Sequence, residues 1–294
     1  MAYNDLTYKV KNGGAFMHLI AINIALFITI NLVSLVLFLF NKSAIFNYEF
    51  VNYVAVPASL TNLMHAPWSL FTYMFIHYDV WHILGNMLML YFAGRLFQDI
   101  LGSFRVWTNY IIGGVFGAVL MIIFYNVFPV FEGARALSYT VGASASVLAL
   151  LVVVTIYYPS MVVRVILFDV PLKYLTLGLI VIDVISINKG NAGGHIAHLG
   201  GALWGVIYAR NLKNGYDLTA WLSSLSTAYD RKHNAKHLKV VHSPRMQEQQ
   251  QKETIAADNK QKRMDELLDK ISKTGYDSLT LDERDTLYKL SQDK

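Results

Sequence analysis

The chain has 294 residues, of which 54% are apolar, with no cysteine and a formal charge of +5. The missing cysteines exclude disulfides, thiolate catalysis and Cys-based metal sites, and a mean hydropathy of +0.37 argues against an ordinary soluble domain. The positive charge calls for no nucleic-acid partner, because basic residues facing anionic lipid on one side of a membrane account for it.

The ionisable residues are unevenly spread, sparse from 16 to 210 and dense from 211 to 294. This pattern divides the chain into an N-terminus (1–15), a membrane domain (16–211), an amphipathic segment with a flexible linker (212–263) and a small helical hairpin (264–294). The first apolar run is too long for a signal-peptide core, and no small-residue cleavage site closes it. A membrane-spanning helix needs roughly 20 mostly apolar residues. Phe16–Phe40 supplies the first. Asn41 to Tyr78 is apolar but broken by Asn52, Pro57, Asn62, His65 and Pro67, as expected of a folded interfacial loop. Further spans are expected at His82–Phe97, Phe104–Phe128, Ser138–Tyr158, Pro171–Ile187 and Ala192–Arg210. The expected fold class is an all-α membrane protein, a six-helix bundle with an interfacial loop after the first helix and a small helical tail.

An even number of spans puts both termini on one side. Lys9, Lys11, Arg95, Arg105, Arg164, Lys173, Arg210 and Lys213 then share that side, against Lys42, Arg135 and Lys189 on the other. The positive-inside rule makes the first side cytoplasmic. Spans two, four and six therefore run inward from the outer face. Ser144 lies about six residues into the fourth and His198 about six into the sixth, so at 1.5 Å per residue both sit roughly 9 Å below the outer end. His82 and Asn86, four apart on one helix face, join them from the second. Gly201 and Gly205 form a Gly-x-x-x-Gly pair on the face of His198, and Gly142, Ala145 and Ala149 offer small residues on the fourth span. Such residues let helices approach closely, which is expected to bring His198 beside Ser144.

Polar groups are costly in hydrocarbon, so this convergence points to function. A serine hydroxyl needs a base to become a nucleophile, and His198 can be that base. The Asn86 amide, His82 and the Ser144 backbone N–H can stabilise an oxyanion. No carboxylate is expected at this depth in the fourth or sixth span, so the reading is a Ser-His dyad. His195, one turn from His198, rivals it as base; the glycine spacing favours His198 and leaves His195 as a supporting or loop-contacting residue. Asp169 and Asp183 have no assigned role, although Asp183 falls within the fifth span.

The chain resembles the rhomboid intramembrane serine proteases across Phe16 to Arg210. The resemblance rests on His82-x-x-x-Asn86, Gly142-x-Ser144 and His198-x-x-Gly201-x-x-x-Gly205, in that order. It implies Ser144 as nucleophile, His198 as general base, and Asn86 and His82 as oxyanion donors with the Ser144 backbone. His77 matches another polar position lining the family's site. It also implies single-span membrane proteins as substrates, cut near the outer end of their helix, with no cofactor. Three positions depart from the family's usual pattern: Ala145 where Gly often follows the serine, Leu148 where a Tyr often stacks on the histidine, and Trp68-Ser69 where Trp-Arg often stands before the second span.

Three rivals bear on the reading. A rhomboid-like protein without activity would bind transmembrane helices through the same bundle. A small-molecule transporter fits poorly, since the polar groups gather at one end and no inverted repeat is visible. A metal at His195 and His198 with His77 or His82 lacks both a His-Glu-x-x-His motif and a carboxylate; the expected metal content is none. The expected location is multi-pass, in a bacterial plasma (inner) membrane with both termini cytoplasmic, in contact with lipid. In the tail, Tyr216–Tyr229 has amphipathic spacing, and His233 to Arg263 is polar and Gln-rich. From Met264 two short helices are expected, separated at Gly275, the second opened by the capping signal Thr280-Leu281-Asp282-Glu283. A cytoplasmic docking partner is expected for this hairpin.

Overall fold

The computed structural model describes residues 13–44, 46, 50–165, 168–222, 261–273, 275 and 278–292. The chain divides into two compact units, Met1–Thr227 and Ala228–Lys294.

The first unit is built on α1 (Ala15–Leu39), α2 (Val80–Leu101), α3 (Ser103–Val127), α4 (Ser144–Tyr157), α5 (Leu172–Ser186) and α6 (Ala192–Lys213). Each overlaps one of the apolar stretches expected from sequence. By length and composition α1 and α3 are apolar enough to cross a membrane, and α4 is a shorter apolar helix. Local signals set the ends. The Asp79 carboxylate accepts the His82 backbone N–H at 2.8 Å and caps α2. Gly102, at φ +84°, turns the chain from α2 into α3.

Two small sheets correct the all-α expectation. β1 (Val56–Pro57) pairs antiparallel with β2 (Tyr139–Thr140), joining the first loop to the approach to α4. β3 (Val162–Val165) and β4 (Phe168–Pro171) form a hairpin whose register sets Arg164 opposite Asp169. The two side chains meet in a bidentate ion pair at 2.9 and 3.2 Å, which accounts for Asp169. Strands of two to four residues carry too few side chains for a readable alternation.

The centre of the unit is α3, α4 and α6 packed on one another. Every residue from Ala145 to Val154 of α4 is buried. By contrast α1 exposes Ile28, Leu32, Leu35 and Phe38, and α5 buries only Leu172, Thr176 and Asp183. Exposed apolar faces of this extent are what lipid covers in a membrane protein. Close helix approach comes from the glycines expected to provide it. A Cβ on Gly201 would collide with the Ala145 carbonyl, and one on Gly205 would stand 2.7 Å from the Ala149 carbonyl oxygen.

The first loop is pinned to α3 by two tyrosines. Tyr110 donates its hydroxyl to the Met74 carbonyl at 2.8 Å, and Tyr73 donates to the Gly114 carbonyl at 2.6 Å. At the far end of the bundle Arg105 pairs with Asp217 at 2.8 Å, and Asp217 also accepts the Thr219 N–H at 2.8 Å. These bonds hold the Asp217 carboxyl below its ordinary range despite the opposing effect of burial. Arg105 thus finds its ion-pair partner beyond the end of α6.

In the second unit, α7 (261–273) ends at Gly275, whose N–H bonds the Ile271 carbonyl at 2.9 Å. α8 (Leu281–Gln292) follows. The expected capping box is formed: Glu283 accepts the Thr280 N–H at 2.9 Å and Thr280 Oγ1 accepts the Glu283 N–H at 3.3 Å. Lys270 reaches both Glu283 oxygens at 2.8 Å. The Lys270 bonds, with the Thr280 N–H, bring the Glu283 carboxyl down to about 2. Of the amphipathic stretch Tyr216–Tyr229, residues 220–222 are helical, and those from 223 lie outside the described residues, as does most of His233–Arg263.

Candidate active site

Ser144 is the first residue of α4, not the seventh of a longer helix. The expected helix over Ser138–Ala143 is replaced by β2 and a turn. Gly142 explains the turn. Its φ is +120°, which favours glycine, and the space a side chain would fill is taken by the His82 ring, 2.7 Å from that Cβ position. Helix N-termini leave backbone N–H groups unpaired and carry partial positive charge. A serine opening a helix therefore meets donors suited to a developing negative charge.

His198 is on the second turn of α6, and its Nε2 stands 2.6 Å from Ser144 Oγ. The side chains meet because Gly201 and Gly205 let α6 press against the α4 backbone. A cavity of about 220 Å³ opens beside the pair, walled by Asn86 and Met89 of α2, Leu148 of α4, and Leu179 and Asp183 of α5. Leu148 is mostly buried and helps wall this space. Ala145, also buried, lies where a Cβ on Gly117 of α3 would be 2.7 Å from its own, so its methyl packs into α3.

Asp183 corrects the expectation of a site without a carboxylate. It is 6% exposed, and its Oδ1 accepts hydrogen bonds from His198 Nδ1 and His195 Nδ1, each at 2.8 Å. Asp183 comes from the fifth span, not from the two spans that carry Ser144 and His198. The signal available is an acidic residue deep in an apolar helix, which demands partners. His195 therefore faces the same carboxylate as His198 and points away from Ser144. Among the described residues, Asp183, His195 and His198 offer three donor atoms within 4.8 Å of one another, a set that could also hold a metal ion. This differs from the grouping with His77 or His82 considered from sequence.

A second network lies on the α2 side. His77 is fully buried, and its Nε2 accepts the Asn86 amide at 3.1 Å and the Ala143 backbone N–H at 3.3 Å. Burial, with His82 alongside, pushes the His77 imidazole down to about 4, so it is neutral at physiological pH and fit to accept both bonds. The His82 ring stacks edge-on against His77 with centroids 5.0 Å apart. Asn86 lies 3.8 Å from the Gly142 Cβ position and lines the cavity with Ser144, whereas His82 packs over Gly142 instead of lining it. Ser146 is buried, its hydroxyl 3.8 Å from Met74 sulfur, and packs between helices.

Residues 64–214, more than half of the chain, match the family model described as the Rhomboid domain. The chain belongs to the rhomboid family. Membership makes it a membrane protein, in keeping with the exposed apolar faces of α1 and α5. The relatives it resembles include RHOMBOID-like protein 12, mitochondrial, of Arabidopsis thaliana, 30% identical over 158 residues covering 50% of this chain and 47% of the relative. Presenilin-associated rhomboid-like protein A, mitochondrial, of Danio rerio is 28% identical over 170 residues, covering 52% of this rhomboid and 38% of the relative. RHOMBOID-like protein 1 of Arabidopsis thaliana is 36% identical over 70 residues, covering 24% and 18%. The chain thus spans about half the length of these curated relatives or less. Residues 255–293 match a second model, described only as a family of unknown function.

Proposed function

We propose that this rhomboid is an intramembrane serine endopeptidase that cuts single-span membrane proteins near the outer end of their transmembrane helix. The 2.6 Å approach of His198 Nε2 to Ser144 Oγ carries the reading. In the first step Ser144 Oγ bonds to the scissile carbonyl carbon and its proton passes to His198 Nε2. The carbonyl oxygen becomes an oxyanion facing the Ser144 N–H and the Asn86 amide, with His82 packed behind. The C–N bond then breaks, and His198 returns the proton to the leaving amine. A water molecule attacks the acyl-serine, giving its proton to His198, and the ester bond breaks to release the new carboxyl end and restore Ser144. No cofactor enters these steps.

The supporting architecture is read as six spans (within 16–211), with both termini cytoplasmic, followed by a linker segment (212–263) and a hairpin (264–294) that docks a cytoplasmic partner. We place the protein in a bacterial plasma membrane; two relatives named as mitochondrial supply the competing location, and membrane fractionation of the source cell separates the two. The rival function is a helix-binding rhomboid without activity, for which the same cavity would receive a transmembrane segment uncut.

The deciding experiment reconstitutes the protein in liposomes with fluorogenic single-span substrates. Cleavage by wild type, abolished in Ser144→Ala and His198→Ala and retained in His195→Ala, is the expected result. No cleavage and no fluorophosphonate labelling of Ser144, in folded protein, overturns it in favour of the helix-binding rival.

A further inference from the structure

We infer that Asp183 is a positioning residue for His198: it fixes the imidazole tautomer, making the site a three-member relay in which His195 braces the carboxylate. The inference rests on the proteolytic reading above but has one readout independent of it. α5 touches the bundle along a narrow seam, since its buried residues after Leu172 are Thr176 and Asp183, two turns apart on one face. Thr176 meets Thr155 of α4 at 2.6 Å. The remaining polar contact of the seam is the carboxylate on the two imidazoles. A carboxylate in an apolar helix is costly unless hydrogen-bonded. Here both bonds come from ring nitrogens of α6, one turn apart.

Tautomer follows from acceptor chemistry. An ionised carboxylate only accepts, so each imidazole nitrogen facing it carries the proton. For neutral His198 that puts the hydrogen on Nδ1 and leaves the Nε2 lone pair aimed at Ser144 Oγ. Once Nε2 takes the serine proton, the same carboxylate faces an imidazolium and stabilises it. The two bonds converge on Oδ1 at 2.8 Å each, with the rings 84° apart, so the oxygen is held from two directions. His195 thereby supports the base without touching the nucleophile.

The test compares Asp183→Asn, Asp183→Glu and His195→Phe with wild type in proteoliposomes, measuring kcat and KM separately. An amide neither stabilises the imidazolium nor enforces the tautomer, so Asp183→Asn is expected to lower kcat about 10²- to 10⁴-fold, with KM changed less than about 3-fold. Asp183→Glu recovers part of the loss, and His195→Phe lowers kcat by about 2- to 10-fold, because one bond to His198 remains. The independent readout is the ¹⁵N spectrum of labelled histidines in detergent: His198 is expected as the Nδ1–H tautomer in wild type and shifted toward Nε2–H in Asp183→Asn. A kcat for Asp183→Asn within about 3-fold of wild type overturns the inference. So does an equal loss in the Asn and Glu variants accompanied by a lower melting temperature, which marks a structural role. A wild type that neither cleaves nor labels overturns the proteolytic reading alone, and the tautomer measurement still decides whether Asp183 sets His198.

Discussion

Two histidine pairs flank Ser144 and differ in what their neighbours make of the same ring. His195 and His198 lie on α6 and give their Nδ1 protons to one carboxylate. His77 precedes α2 and His82 lies in its first turn; His77 accepts hydrogen bonds from an amide and a backbone N–H. The first pair meets an acceptor, whereas His77 meets two donors. Being a histidine beside Ser144 does not by itself assign a role; the acceptor or donors that each ring meets do.

The largest expected effect comes from moving the first pair bodily. Gly201→Val drives a branched side chain into the Ala145 carbonyl, and α6 must shift away from α4. Overpacking of this kind costs about 3 kcal/mol, and cleavage is expected to vanish as His198 withdraws from Ser144. The control is Gly178→Ala on α5, where a Cβ meets nothing within 4 Å; it should leave stability within about 1 kcal/mol of wild type. Denaturation in mixed micelles reads both, and equal effects from the two changes would contradict the close α4–α6 contact.

The second effect breaks the other pair. Asn86→Ala removes an oxyanion donor and is expected to lower kcat about 10²- to 10³-fold. His77→Phe keeps a ring but loses the acceptor, leaving the Asn86 amide and Ala143 N–H unpaired; a smaller loss, about 10-fold, is expected. A His77→Phe enzyme with unchanged kcat would show that the network does not aim Asn86.

The third effect, absent at neutral pH, sharpens the contrast through pH. His77 titrates near 4 when folded and near 6.5 as an ordinary histidine, because burial and neighbouring His82 disfavour its cation. Between those values the unfolded chain binds the proton and the folded one does not. Stability from this group is therefore fully present above about pH 6.5, falls as pH drops toward 4 and levels off below. The loss is roughly 3 kcal/mol at most. Comparing the pH dependence of unfolding in wild type and His77→Phe isolates it, and identical slopes would sink the assignment.

The meeting of Ser144 with His198, and the helices carrying them, were legible because apolar runs mark helices and Gly201 and Gly205 announce a close contact. Asp183 was not legible in the same way. Its partners lie 12 and 15 residues on, across a helix-to-helix turn, and which face α5 turns inward depends on packing that hydropathy does not encode. The start of α4 was misplaced for a related reason. Ser138 to Ala143 carries no charge and adjoins an apolar run, so it reads as more helix, although Tyr139, Thr140 and Val141 favour a strand and Gly142, with its left-handed backbone, marks the break. β1 and β2 are too short to leave a pattern, although they place the residues leading to Ser144.

That placement has a mechanical consequence. The backbone entering Ser144 hangs from the first loop at three successive points: Ala58 N–H on the Ser138 carbonyl, the β1–β2 pair, and Gly142 N–H on the Tyr73 carbonyl. The loop is thus a lever whose short arm ends at the nucleophile. Outward displacement of residues 56–73 pulls on the very peptide groups that precede Ser144.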